Sequence, residues 1–263
     1  MKVLALDFDG VISNSIWDCF FTAYNVYLKF NPETKLLGGR QLTFENFNGV
    51  KAENRVIRDK FRNLASFAAG GKYFVVVFYI IDRDEEVRSQ LEFDVFCSGL
   101  GDTALNSFQD EFYVERKRLQ SIDMEKWYEL TPPFFEVVPQ FKKLIDRDNA
   151  FIVTNRDKES ALMLLKRFGL TVDENKIIHK DFGLNKAEKL IKLSEKMNIG
   201  KQDIILVDDL LKHAMGVKEA EFRVFIATWG YSTEKQQSFA EQNGIPLLTE
   251  ENFYETISKE LER

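Results

Sequence analysis

The chain is poor in the residues that build covalent or metal frameworks, with two cysteines and two histidines among 263 residues. Cys19 and Cys97 share no metal-ligand spacing and form no disulfide framework, so both are expected to be buried, inert thiols in a reducing cytoplasm. Long apolar runs are missing too. The longest, YFVVVFYII from Tyr73 to Ile81, falls far short of the roughly 20 residues a membrane-spanning helix needs. The opening MKVLAL meets Asp7 too soon to hold a signal-peptide core, so neither a membrane nor a secretory route is expected. There is no basic excess either. A net charge of −6 argues against nucleic acid as the main partner, because a surface that tracks phosphates needs surplus Lys and Arg. Internal repeats, low-complexity tracts and flexible linkers are also absent.

What remains is the composition of an ordinary globular protein, 44% apolar and 30% charged, long enough for a core domain plus a smaller one. Short unbroken apolar runs at Lys2–Leu6, Ala150–Thr154, Asp203–Val207, Arg223–Ala227 and Ile245–Leu248 read as strands covered on both faces. Helical periodicity over Lys158–Phe168, Asn185–Met197 and Glu250–Leu261 separates or follows them. Strands alternating with such helices predict an α/β fold with a doubly wound parallel sheet. The middle breaks that rhythm. It is rich in phenylalanine and charge, with helical stretches at Arg55–Ala69 and Asp110–Leu119, and Lys72–Ile81 is ambiguous between strand and helix. The expected organisation is a core of residues 1–30 and 131–263, with residues 31–130 as an inserted, mostly helical domain.

In a doubly wound sheet, ligands bind outside the carboxyl ends of the strands, and four features fall there. The first is Asp7-Phe-Asp9-Gly10. Two carboxylates this close coexist if a divalent cation neutralises them or if one keeps its proton, which gives a nucleophile beside an acid. Gly10 permits a tight turn and close backbone approach, and a surface turn with incidental acids has the same sequence. The second is Val153-Thr154-Asn155-Arg156-Asp157, where Thr154 and Asn155 can donate to an oxyanion, or Asn155 or Asp157 can simply cap the next helix. The third is Lys186, set unfavourably at a helix N-terminus, with Lys180 and Lys189 as competitors for the same role. The fourth is Asp208-Asp209, an oxygen-rich pair suited to Mg²⁺. Ser15 is expected to cap the helix that follows the first feature.

In this order the four features resemble the haloacid dehalogenase superfamily. Asp7-Phe-Asp9-Gly10-Val11 is similar to its first motif, Thr154-Asn155 to its second, Lys186 to its third and Asp208-Asp209 to its fourth. The resemblance implies a Rossmann-like core with a helical cap inserted between the first and second motifs. It also implies a Mg²⁺-dependent phosphatase acting on a small phosphorylated metabolite. Asp7 would attack phosphorus and carry it as an aspartyl phosphate. Asp9 would protonate the leaving oxygen and later deprotonate the hydrolytic water. Mg²⁺ would be held by Asp7, the Asp9 carbonyl and Asp209, supported by Asp208, while Thr154, Asn155 and Lys186 would clamp the phosphoryl oxygens.

Two positions depart from the pattern. His213 stands where many members have an acid, and is expected on a helix surface, as His179 is at a strand edge; Ala187 follows Lys186 where many have proline. In the insert, Arg40, Arg55, Arg58 and Arg62 are expected as exposed helix charges, and the phenylalanines as packing. A phosphomutase using the same aspartyl phosphate, or a non-enzymatic Mg²⁺- or phosphate-binding regulatory protein, are the alternatives. The fold alone does not decide among them.

Overall fold

The computed structural model describes residues 2–145, 147 and 149–263. The described strands are β1 (Val3–Leu6), β2 (Ala150–Val153), β3 (Ile177–Ile178), β4 (Ile204–Asp208), β5 (Arg223–Ala227) and β6 (Leu247–Leu248). They form one sheet in the order β3-β2-β1-β4-β5-β6, with every neighbouring pair parallel. The expected doubly wound parallel sheet is therefore present. The strand order reverses between β1 and β4, the place where such sheets bind ligands.

The chain divides into two compact units, Ser15–Thr131 and the remainder. Helices α1 (Ile16–Phe30), α2 (Phe47–Glu53), α3 (Arg55–Ala65), α4 (Gly71–Asp82), α5 (Gln90–Leu100), α6 (Asp102–Ile122) and α7 (Met124–Glu129) belong to the first. Helices α8 (Val138–Ile145), α9 (Lys158–Arg167), α10 (Lys186–Met197), α11 (Leu211–Glu219), α12 (Glu234–Gln242) and α13 (Phe253–Glu262) accompany the sheet.

In the sheet unit, alternate strand residues Val3, Ala5, Ile204, Leu206, Val224 and Ile226 form one core with Leu190 and Leu193 of α10, Ala214 and Val217 of α11 and Ala240 of α12. The intervening residues Leu4, Leu6, Ile205 and Val207 are equally buried. Burial on both faces is why these strands read as unbroken apolar runs rather than as alternation.

The inserted unit differs from expectation at its start. It begins at Ser15, not residue 31, because α1 packs with α4 and α6. Ser15 occupies the N-cap position of α1, but its side chain makes no capping hydrogen bond. The ambiguous valine-rich stretch is helix α4, its residues Val75, Val76, Val77 and Phe78 all fully buried. Burial among helices has overridden β propensity there. The phenylalanines pack as expected. Phe20 lies 4.9 Å from Phe61 and 5.2 Å from Phe78, ring to ring, edge-on in both cases. Arg40, Arg55 and Arg58 pair with Glu53 and Asp59 on the surface, and both cysteines are buried thiols outside any disulfide.

Candidate active site at the carboxyl end of the sheet

β1 ends at Leu6, and Asp7 extends the ladder by donating its N–H to the Val207 carbonyl at 2.9 Å. This fixes Asp7 beside the end of β4, where Asp208 and Asp209 emerge, and β2 delivers Thr154 from the other side. Lys186 is the first residue of α10, whose N-cap Asn185 accepts from the Glu188 N–H. From that position its amine reaches Asp7 Oδ1 at 2.6 Å, Asp208 Oδ2 at 3.2 Å and the Val153 carbonyl. Lys186 is 1% exposed and Asp208 fully buried. The structure thus brings the first, third and fourth features into direct contact.

Lysines 180 and 189 do other things. Lys180 pairs with Asp181. Lys189, one turn along α10, donates to the Thr154 carbonyl at 2.7 Å and to Asn155 Oδ1 at 2.6 Å. Asp157, rather than Asn155, caps α9 by accepting from the Ser160 N–H, so the capping reading of the second feature holds for Asp157 only. The Thr154 hydroxyl accepts the Arg156 N–H at 3.0 Å, which directs the hydroxyl proton elsewhere.

His213 corrects the sequence reading. It is buried on α11, not a surface residue, and its Nδ1 lies 3.0 Å from Asp208 Oδ1. Its Nε2 faces the Asn155 amide nitrogen at 3.5 Å. A carboxylate at Nδ1 selects the tautomer with the proton on Nδ1, leaving Nε2 to accept from Asn155. Burial, against the pull of Asp208, holds the imidazole below its usual range. His179 instead accepts the Asp181 N–H at the start of a short 3-10 turn.

The charges are unevenly divided. Burial opposes the Asp208 carboxylate, but His213, Lys186 and the Leu210 N–H outweigh it and hold it well below the usual range. Burial pushes Asp7 up to about 8, Lys186 opposing and Asp208 and Asp9 adding to the rise. Burial, Asp208 and Asp7 raise Asp209 as well. Lys186 stays charged, because Asp7 and Asp208 together exceed its desolvation. Proton affinity is raised on Asp7 and Asp209 in the absence of a cation, and Arg156 forks onto both Asp9 oxygens at 2.7 to 3.1 Å.

The two oxygens of Asp209 differ. Its Oδ2 accepts the Tyr231 N–H at 2.7 Å, while its Oδ1 is buried with no hydrogen-bond partner among the described residues. The carboxylate lies against two glycines. A Cβ on Gly10 would fall 2.0 Å from Asp209 Oδ2, and one on Gly230 would fall 2.3 Å from Asp209 Cβ. An orphaned, buried carboxylate oxygen beside a second carboxylate of raised proton affinity is the donor set of a divalent cation. Asp7, Asp208 and His213 also each offer a ligand atom within 4.8 Å of one another. In that trio Asp208 is already engaged by both His213 and Lys186, so Asp7 and Asp209 are the better donors.

Gly10 therefore has a role beyond turning the chain. At φ +81° it is in the left-handed region, and its missing side chain makes room for Asp209. Gly10→Ala is expected to lower stability by at least about 2 kcal/mol and to remove divalent-cation binding, measured by chemical denaturation and calorimetric titration.

Lys189 carries a pH signature. It is fully buried, and burial together with Lys186 lowers it from 10.5 to about 7. Between those values the unfolded chain binds the extra proton, so this group makes stability rise with pH across the window. Below it, the opposition is fully present. From about pH 7 to about pH 9, wild type should gain on Lys189→Met by up to about 1 kcal/mol per unit in urea denaturation.

Sequence reasoning missed Arg156, Gly230 and Tyr231. Arg156 stood inside a stretch already singled out, and Gly230-Tyr231 follows the apolar run of β5 at the same sheet end. Among the described residues, no helix is long and apolar enough to cross a membrane.

No family model matches the sequence, and no curated protein matches it. The fold has clear relatives among solved structures. One, described as a predicted phosphoglycolate phosphatase from Haemophilus somnus 129pt, superposes with a TM-score of 0.60 at 14% identity, covering 98% of both chains. A predicted phosphatase from Clostridium acetobutylicum gives 0.58 at 14% identity, covering 98% of this chain and 99% of that one. A haloacid dehalogenase-like family hydrolase from Streptococcus pneumoniae gives 0.56 at 10% identity, covering 95% and 93%. Sheet order, inserted helical unit and these superpositions together show that the chain has the fold of the haloacid dehalogenase-like hydrolases.

Proposed function

We propose that the protein is a divalent-cation-dependent phosphatase that hydrolyses a small phosphorylated metabolite in the cytoplasm. The observation that carries the reading is the junction of Asp7, Lys186 and Asp208 at the strand-order reversal, with the orphaned Asp209 Oδ1 beside them. Asp7 is the nucleophile. Lys186, 2.6 Å from its Oδ1, holds that oxygen and leaves Oδ2 to attack phosphorus. Thr154, whose hydroxyl proton is directed away from Arg156, donates to a phosphoryl oxygen, and Lys186, its three N–H groups engaged by Asp7, Asp208 and Val153, contributes its positive charge. Asn155 is held between Lys189 and His213, which fixes its amide beside Thr154.

Mg²⁺ would be held by Asp7, the Asp9 carbonyl and Asp209, and when bound it supplies positive charge to the phosphoryl oxygens. Asp208 is the anchor of Lys186 and His213 rather than a ligand. Asp9, whose side chain is 26% exposed, gives a proton to the leaving oxygen and takes one from the hydrolytic water. Both products then depart as alcohol and inorganic phosphate.

The test is turnover of a panel of phosphate monoesters by wild type and Asp7→Asn, with Mg²⁺ and with chelator. Mg²⁺-dependent release of phosphate by wild type alone is expected. Hydrolysis that persists in Asp7→Asn would overturn the nucleophile assignment. Transfer of phosphate to a second sugar phosphate in preference to water would replace phosphatase with phosphomutase.

A further inference from the structure

Arg156 is the second residue after Thr154 and is 1% exposed. Its Nε contacts both Asp9 oxygens at 3.1 Å, and its Nη2 donates to Oδ1 at 2.7 Å. Its own position is fixed from several sides. The backbone N–H donates to the Thr154 hydroxyl at 3.0 Å, and the carbonyl accepts the Lys180 N–H at 3.2 Å. The guanidinium lies 5.6 Å from the centre of the Phe8 ring, itself stacked on Phe168. A forked guanidinium defines a carboxylate's plane as well as its place, which a lysine cannot do. Asp9 also sits on a turn, where the Gly10 N–H donates to the Ser13 carbonyl at 2.8 Å. Backbone alone would leave its side chain free to choose among rotamers.

We propose that Arg156 is a positioning residue for Asp9: it ties the second-motif loop to the first-motif loop and holds the Asp9 carboxylate in the orientation that takes a proton from the hydrolytic water. The proposal rests on the phosphatase reading. In the step concerned, the water oxygen bonds to phosphorus and its proton passes to an Asp9 oxygen. The bond between phosphorus and Asp7 breaks, its electron pair returns to the Asp7 carboxylate, and inorganic phosphate leaves. Arg156 touches none of the reacting atoms and acts through Asp9.

The test is pre-steady-state hydrolysis of p-nitrophenyl phosphate by wild type, Arg156→Met, Arg156→Lys, Asp9→Asn and the Arg156→Met/Asp9→Asn double variant. Nitrophenolate is a good leaving group, so its release needs little help from an acid, whereas water attack needs the base. Arg156→Met should therefore release one equivalent in a burst within about threefold of the wild-type rate, followed by turnover slowed about 100-fold. The double variant should be no slower than Asp9→Asn. A burst slowed as much as the turnover would overturn the proposal, because Arg156 would then serve phosphoryl binding or the integrity of the whole site. Multiplying effects in the double variant would overturn it too. If Arg156→Met fails to fold, Arg156→Lys, which keeps the charge but cannot fork, must show the same separation of burst from turnover. Wild type without any Mg²⁺-dependent ester hydrolysis sinks the phosphatase reading and this proposal together. An active wild type with an unaffected Arg156→Met sinks this proposal alone.

Discussion

Asp7→Asn is expected to abolish ester hydrolysis, by on the order of 10⁴-fold or more, while leaving the metal-free protein more stable than wild type. Activity is lost because an amide oxygen is a poor nucleophile toward phosphorus. Stability is gained because the site works against the charge that chemistry needs. Asp7 is 5% exposed and pushed up to about 8, chiefly by burial, with Lys186 only partly compensating. A carboxyl raised in the folded state favours folding below its unfolded value of 3.8 and loses that contribution as pH rises to about 8. Asparagine does not titrate, and its oxygen can still accept from the Phe8 N–H and Lys186. In chelator, the variant should therefore gain on wild type between about pH 4 and about pH 8, by on the order of 2 kcal/mol at the upper end. Calorimetric melting across that range measures it. A variant that is inactive and less stable throughout would make Asp7 a structural residue.

The sheet was legible because burial on both faces leaves unbroken apolar runs, and β1, β2, β4 and β5 lie where those runs are. The two-residue strand β3 and the short helices α2, α7 and α8 were not, since each is too brief for a period to show. Asp7, Thr154, Lys186 and Asp208-Asp209 could be placed at one sheet end because strand ends are predictable even when distances are not. The partners of these acids were not predictable, because Arg156, Lys186 and His213, which contact Asp9, Asp7 and Asp208, arrive from distant segments. His213 was misjudged for a related reason. Nothing in the run from Leu211 to Glu219 says which helix face meets Asp208, and only the docked helix buries the imidazole.

The largest loss of stability is expected from Lys186→Met, and its cause can be separated from simple loss of packing. The amine is the positive charge in contact with both Asp7 and Asp208, and it also bonds the Val153 carbonyl. Removing one partner of a buried ion pair leaves the others uncompensated, which costs about 3 to 5 kcal/mol. The lower end is expected here, because His213 still holds Asp208 and Asp7 can take up a proton. Lys189→Met, three residues along the same helix, removes an amine that contacts Thr154 and Asn155 rather than a carboxylate, and should be far milder. If uncompensated charge is the cause, adding Asp7→Asn to Lys186→Met should return about 1 to 3 kcal/mol in chemical denaturation. Packing loss predicts the opposite, since the second substitution would then add its own damage. A double variant less stable than Lys186→Met alone would show that the lysine's carbon chain, not its charge, holds the ends of β1, β2 and β4 together.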